Sequence, residues 1–253
     1  MPCPENPAGE KDVFGREVFR RCGTVRLRLW NNALGNCSST PPLVEVGMQG
    51  GAPSTFGNPK SCFMTGNEGL LALIHVLNEV GTPYMVVGSY SSNFYGIPRS
   101  TKDADLVFQF DPRSLAEIAK RLPEGLSFDQ QSTFEMVTST RKDVILIEGS
   151  EFQIELFHLS EDAFDQTRFK QREKVMFGND LNTWMPRMED VIIQKLRWAK
   201  GGGRSKDFDD VVAILGVQEN VNFDYVTQWC EKHGTLEILA KARAEAGIEQ
   251  GNS

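Results

Sequence analysis

Asp103 and Asp105 stand two residues apart at the head of the run Ala104-Asp105-Leu106-Val107-Phe108-Gln109-Phe110. The run is apolar enough to be a strand. Side chains alternate faces along a strand, so both carboxylates point the same way. Two like charges on one face repel unless a cation sits between them. Hard Mg²⁺ with oxygen ligands is the natural cation, and a pair of such ions can clamp both oxygens of a phosphoryl or nucleotidyl transfer. The same spacing also occurs at solvated strand ends. A second feature lies upstream, where Gly88-Ser89 follows the short apolar run Tyr84-Met85-Val86-Val87. A glycine after a buried strand, opening a helix, presents backbone N–H groups to an anion, and a serine adds a hydroxyl donor. Taken alone, Gly88-Ser89 also fits a plain turn with Ser89 as helix cap.

The combination is more specific than its parts. In order come a buried strand, Gly-Ser, a short helix, and a strand opening with Asp-x-Asp. Arg99 and Lys102 lie just before the acids, where cations can hold a polyphosphate.

Val86-Val87-Gly88-Ser89 followed by Tyr95-Gly96-Ile97-Pro98-Arg99-Ser100-Thr101-Lys102-Asp103-Ala104-Asp105-Leu106-Val107 resembles the signature of nucleotidyltransferase-fold proteins. It is most similar to bacterial members akin to the abortive-infection toxin nucleotidyltransferases. The resemblance continues through Ile154-Glu155-Leu156-Phe157, Glu189 to Trp198 and Ser205 to Val211, and spans about residues 66 to 245. It implies Mg²⁺-dependent transfer of a nucleoside monophosphate from an NTP to a hydroxyl, on RNA (notably tRNA) or on protein. It also implies the toxin half of a toxin–antitoxin pair, with an antitoxin partner, as a further reading. By resemblance Asp103 and Asp105 bind metal, and Gly88, Ser89, Arg99 and Lys102 bind nucleotide. The family's third carboxylate falls at position 155, where this chain carries Glu in place of Asp. Glu155 would be a metal ligand or the base for an incoming hydroxyl. Its strand buries Phe152, Ile154 and Leu156, so Glu155 faces the other way, which also suits an ordinary solvent-facing residue.

Lys195 lies within the apolar stripe Met188, Val191, Ile192, Leu196, Ala199. There it must snorkel or find an anion. The resemblance makes that anion nucleotide phosphate; a neighbouring carboxylate is the alternative. Asp207, Asp209 and Asp210 follow Ser205 in the first turns of a helix, where acids suit the dipole. The resemblance singles out Asp210 as a late acid that assists catalysis or orients the lysine. A non-catalytic nucleotide-binding or partner-binding module remains the rival class.

Certain elements must position these groups. Leu70, Leu71, Ile74, Leu77 and Val80 recur at helical spacing, so the sequence predicts a helix over 67–80 that stops at Gly81-Thr82-Pro83. The residues after Ser89 make a short helix closed by Gly96 and Pro98, and 112–121 make another. Strands are expected at 134–137, 144–147 and 152–157, and a polar hairpin at 173–184. Helices are expected over about 188–200 and 205–215, and around Tyr225 to His233 and Leu236 to Arg243. The expected fold is α/β, a nucleotidyltransferase-type mixed sheet with flanking helices, followed by a mostly helical C-terminal subdomain. The expected domains are 66–185 for the core and 186–253 for the helical part.

Residues 1–65 differ from the rest. They are rich in Pro, Gly, Ser and Asn, hold four of the five cysteines, and show no sustained period. They read as a disordered extension, or as sequence upstream of a start at Met64. Hydrophobic residues make up 40% of the chain and charged residues 24%, values that suit a globular core. There is neither a membrane-length apolar run nor an apolar signal region, so a cytoplasmic protein is expected. The cysteines show no metal spacing. The net charge of −7 makes the body a poor general trap for nucleic acid, so a nucleic-acid substrate would need a local basic patch.

Overall fold

The computed structural model describes residues 10–11, 17–18, 64–129, 133–135, 140–177, 181–202 and 205–248. The expectation of disorder for 1–65 falls almost wholly outside them. The chain divides into two compact units, Met1–Gly57 and Asn58–Ser253. In the first unit β1 (Glu10–Lys11) pairs antiparallel with β2 (Glu17–Val18).

The second unit opens with α1 (Gly66–Val80). A capping box at Thr65 and Glu68 starts it, and Gly81, with φ 75°, ends it. Then come β3 (Tyr84–Val87), α2 (Gly88–Tyr95), β4 (Asp103–Phe108), α3 (Pro112–Arg121), β5 (Leu126–Phe128), β6 (Thr133–Glu135), β7 (Thr140–Ile147) and β8 (Gln153–His158). The chain continues through α4 (Ala163–Lys170), β9 (Glu173–Phe177) and β10 (Leu181–Met185). It ends in α5 (Met188–Gly202), α6 (Ser205–Val217), α7 (Phe223–His233) and α8 (Leu236–Glu245). This is the α/β order read from the sequence, a mixed sheet with flanking helices and then a helical stretch. Two elements escaped that reading. β5 has three residues, too few for a period. α4 is a short helix whose buried set includes Asp165 and Arg168, paired at 2.8 Å, so its inner face is not apolar.

The main sheet runs β3-β4-β8-β7-β5, with β6 also on β7. β4 and β8 are parallel, and the other pairs are antiparallel. One face of the central strands is mostly apolar: Ala104, Leu106 and Phe108 alternate on β4, with Ile154 and Leu156 on β8, all at most 1% exposed, and His158 of β8 meets Asp143 of β7 at 2.8 Å on the same face. Gly69 of α1 lies against Ile147 and Leu126, which seats that helix on the far edge of the sheet. The opposite face is split. Met85, Val87, Val107 and Phe169 cluster at one end. The other end carries Asp103 and Asp105. A separate core joins Phe164 to α5, α6, α7 and α8 through Ile192, Leu196, Val211, Ile214, Val226 and Leu239. β9 and β10 form their own antiparallel hairpin. Among the described residues no helix is long and apolar enough to cross a membrane.

Candidate active site

β3 and β4 run antiparallel with Val87 opposite Asp105, so the end of β3 meets the start of β4. At that point the chain turns into α2 through Gly88, at φ 62°, a conformation that suits glycine. No side chain caps α2. Its first-turn N–H groups therefore lack the partner that α1, α3, α4 and α7 each receive from a capping residue. Ser91 and Ser92 turn their hydroxyls back onto the Gly88 carbonyl, at 2.9 and 3.4 Å.

Across the sheet, the parallel register sets Asp105 beside Glu155 and Asp103 beside Gln153. Neighbouring strands lie about 4.8 Å apart, so the three carboxylates share one patch of one face. Burial pushes the Asp105 carboxyl up to about 7, and the charges of Asp103 and Glu155 push the same way against Lys195 and Lys142. Asp103 Oδ1 accepts from the Thr101 hydroxyl at 2.7 Å. Glu155 Oε1 is held by the Lys142 ammonium at 2.6 Å. Among the described residues no three His, Cys, Asp or Glu side chains converge closely enough to hold a metal ion. The donors are nevertheless the hard oxygens Mg²⁺ takes, and the like charges that add to burial in raising Asp105 mark a place where a cation is favoured.

Behind this patch lies a second network. The Arg99 guanidinium makes a two-pronged contact with Asp210, Nε to Oδ1 at 2.7 Å and Nη2 to Oδ2 at 2.9 Å. Nη2 also donates to Ser89 Oγ at 3.1 Å. Asn93 grips the Arg99 backbone on both sides, accepting from its N–H and donating to its carbonyl. Lys195, 3% exposed, reaches Asp207 at 2.9 Å and Asp210 at 2.8 Å. Burial opposes charge on Asp210, but the Arg99 bond and the Lys195 ammonium hold its carboxyl below the ordinary range. Ser92 adds a hydrogen bond to Asp210 at 3.0 Å.

The residues named from the sequence thus fall into two touching groups. Gly88, Ser89, Asp103, Asp105 and Glu155 lie at one end of β3, β4 and β8. Arg99, Lys195 and Asp210 stand behind, joined to them through Ser89. Lys195 is the carboxylate-paired lysine that was the alternative reading. Asp210 is one of its two carboxylate partners. Lys102 is exposed, with no ion pair among the described residues. Asp209 is exposed, as the dipole account expects. Asp207 is not: it is 1% exposed and shares Lys195. Its spacing of three from Asp210, on one helix face, was the available signal. Lys142, Ser92 and Asn93 were missed. Lys142 sits on β7, whose pairing with β8 is not written in local sequence.

No family model matches the chain, and no curated protein does. Solved structures with similar folds include nucleotidyltransferases. One is an antigenic nucleotidyltransferase-like protein from Paracoccidioides brasiliensis, 12% identical, covering 73% of this chain and 93% of that one with a TM-score of 0.48. Another is MenT4, a nucleotidyltransferase toxin from Mycobacterium tuberculosis, 13% identical, covering 66% and 63%, with a TM-score of 0.41. A third is JHP933 from Helicobacter pylori, 16% identical, covering 71% and 77%, with a TM-score of 0.44.

Proposed function

We propose that this chain is a Mg²⁺-dependent nucleotidyltransferase that moves a nucleoside monophosphate from an NTP to a hydroxyl of RNA or protein. The observation that carries the reading is the meeting of an uncapped helix start, at Gly88 and Ser89, with the Asp105 carboxylate. A helix start suited to phosphate and a carboxylate suited to a metal stand there in one place, which supports the reading.

Asp103 and Asp105 would hold the metal, with Glu155 completing the set once it leaves Lys142; bound there, the metal would neutralise charge on the triphosphate. The chain's own groups do the rest. The first-turn amides of α2 bind phosphate oxygens. Ser89 Oγ accepts from Arg99, which leaves its own proton to donate to phosphate. Arg99, anchored on Asp210, fixes that hydroxyl. Lys195 adds a buried positive charge behind the site. The acceptor hydroxyl attacks the α-phosphorus, its proton passes to a carboxylate such as Glu155, and the bond to the β-phosphate breaks to release pyrophosphate.

One set of observations favours a second reading, a nucleotide-binding module without turnover. Lys195 and Arg99 are already committed to carboxylates, and Glu155 to Lys142. Incubation with each α-labelled NTP, Mg²⁺ and total RNA or lysate separates the two. Label on RNA or protein is expected; nucleotide binding without any label transfer would leave the module. The block from Val86 to Val107 resembles toxin members, which extends the proposal to a growth-inhibiting activity neutralised by an antitoxin. Expression in a bacterial host, alone and with its neighbouring gene, tests that extension.

A further inference from the structure

Three carboxylates share the site, and among the described residues Lys142 is the one cation that touches any of them. Its side chain and that of Glu155 are each about one-fifth exposed. The contact is built into the sheet. Val144 stands opposite Glu155 in the β7–β8 register, and Lys142 is two residues before Val144 on the same face. A long side chain reaches its diagonal neighbour from there. Lys142 stands opposite Phe157, and its ammonium lies over that ring, 5.7 Å from the centroid. The other cation acting on Asp105, Lys195, is already bonded to Asp207 and Asp210.

We propose that Lys142 is the resident counter-ion of the carboxylate site. Its ammonium holds Glu155 while no divalent cation is bound and yields that carboxylate when one enters with nucleotide. The phosphates then offer the ammonium an alternative partner. Free divalent cation, which brings no phosphate, must displace Lys142 without that exchange, and so binds weakly. The proposal rests on the metal-site reading above.

The test is binding of Mn²⁺ alone, measured by the electron-spin signal of the unbound ion, to the wild-type protein, Lys142→Met and Lys142→Gln. Both variants should bind Mn²⁺ at least about fivefold more tightly than wild type, because a unit positive charge beside the ion is gone. In EDTA both should melt below wild type, since the three carboxylates repel without a counter-ion, and saturating Mn²⁺ should close that gap. A lysine with a merely structural role would lower the melt equally with and without metal. If wild type binds Mn²⁺ and the variants bind it no more tightly, the counter-ion role is overturned and the metal site stands. If no form binds Mn²⁺, both fall together.

Discussion

The Asp105 carboxylate occupies the space a side chain on Gly88 would need: a β-carbon there would lie 1.9 Å from Asp105 Oδ2 and 2.7 Å from its Cγ. The glycine is required twice, once by its φ of 62° and once by this approach. Gly88→Ala should cost about 1–3 kcal/mol from the strained backbone alone. It should also push Asp105 aside, so that any Mg²⁺-dependent rise in melting temperature disappears. In an Asp105→Ala background the same substitution should cost measurably less, because the overlap with the carboxylate is gone while the backbone strain remains. Equal costs in the two backgrounds would show that the contact has no energetic weight.

Asp105→Asn separates a metal ligand from a core residue. Burial and two neighbouring carboxylates disfavour charge on Asp105 in the metal-free protein. The variant should therefore melt in EDTA at or above the wild-type temperature. Wild type should gain about 1.4 kcal/mol when Mg²⁺ is at tenfold excess over Kd, and the variant should gain almost nothing. Thermal melts with EDTA, Mg²⁺, and Mg²⁺ plus each NTP measure this. A wild-type melt indifferent to all of them would sink the metal-site reading.

Glu155→Gln keeps size and strand propensity but removes charge. The fold should survive, and label transfer from NTP should fall by at least about tenfold, through loss of a ligand or a base. Unchanged turnover would assign position 155 to the surface and leave a two-carboxylate site.

Lys195→Met should be the costliest of these changes. It strands Asp207 and takes one of two cations from Asp210 in a buried network, where an uncompensated charge costs about 3–5 kcal/mol. Adding Asp207→Asn should recover part of the loss, because Arg99 still serves Asp210. Urea unfolding of the single and double variants reads this directly. No recovery in the double variant would place the cost of losing Lys195 elsewhere.

Asp190 makes a prediction about acid. Its side chain is fully buried, with Tyr225 donating to Oδ1 at 2.8 Å. Burial pushes its carboxyl up to about 6, above the ordinary 3.8. The folded state thus holds the proton more tightly than the unfolded chain. The stability contributed is complete below about pH 4 and is lost as pH rises through about 6. Asp190→Asn removes that dependence. Its stability relative to wild type should climb from pH 4 to pH 6 and then level. A difference that stays flat across the window would mean that Asp190 is charged throughout.

Local signals carried the elements. The period of Leu70, Ile74 and Leu77, the stop at Gly81, the apolar run before Gly88 and the alternation around Asp105 are near-neighbour patterns. Each corresponds to the helix or strand observed, because burial of one face imposes its period on the chain. The pairing of Asp103 with Asp105 on one face followed from the same alternation. Which partners meet at this site was not legible. Lys142 meets Glu155 because β7 lies beside β8 in one register, and a slip of one residue would turn the lysine to the other face. Asp207 and Asp210 close on Lys195 because α6 packs against α5, which places acids suited to a helix start over a lysine in an apolar stripe. Whether Lys195 finds phosphate or carboxylate depends on what stands within about 3 Å of its ammonium. Sequence spacing restricts that choice to an anion, since a bare buried charge is too costly. Only the packing of one helix on another selects which anion it is.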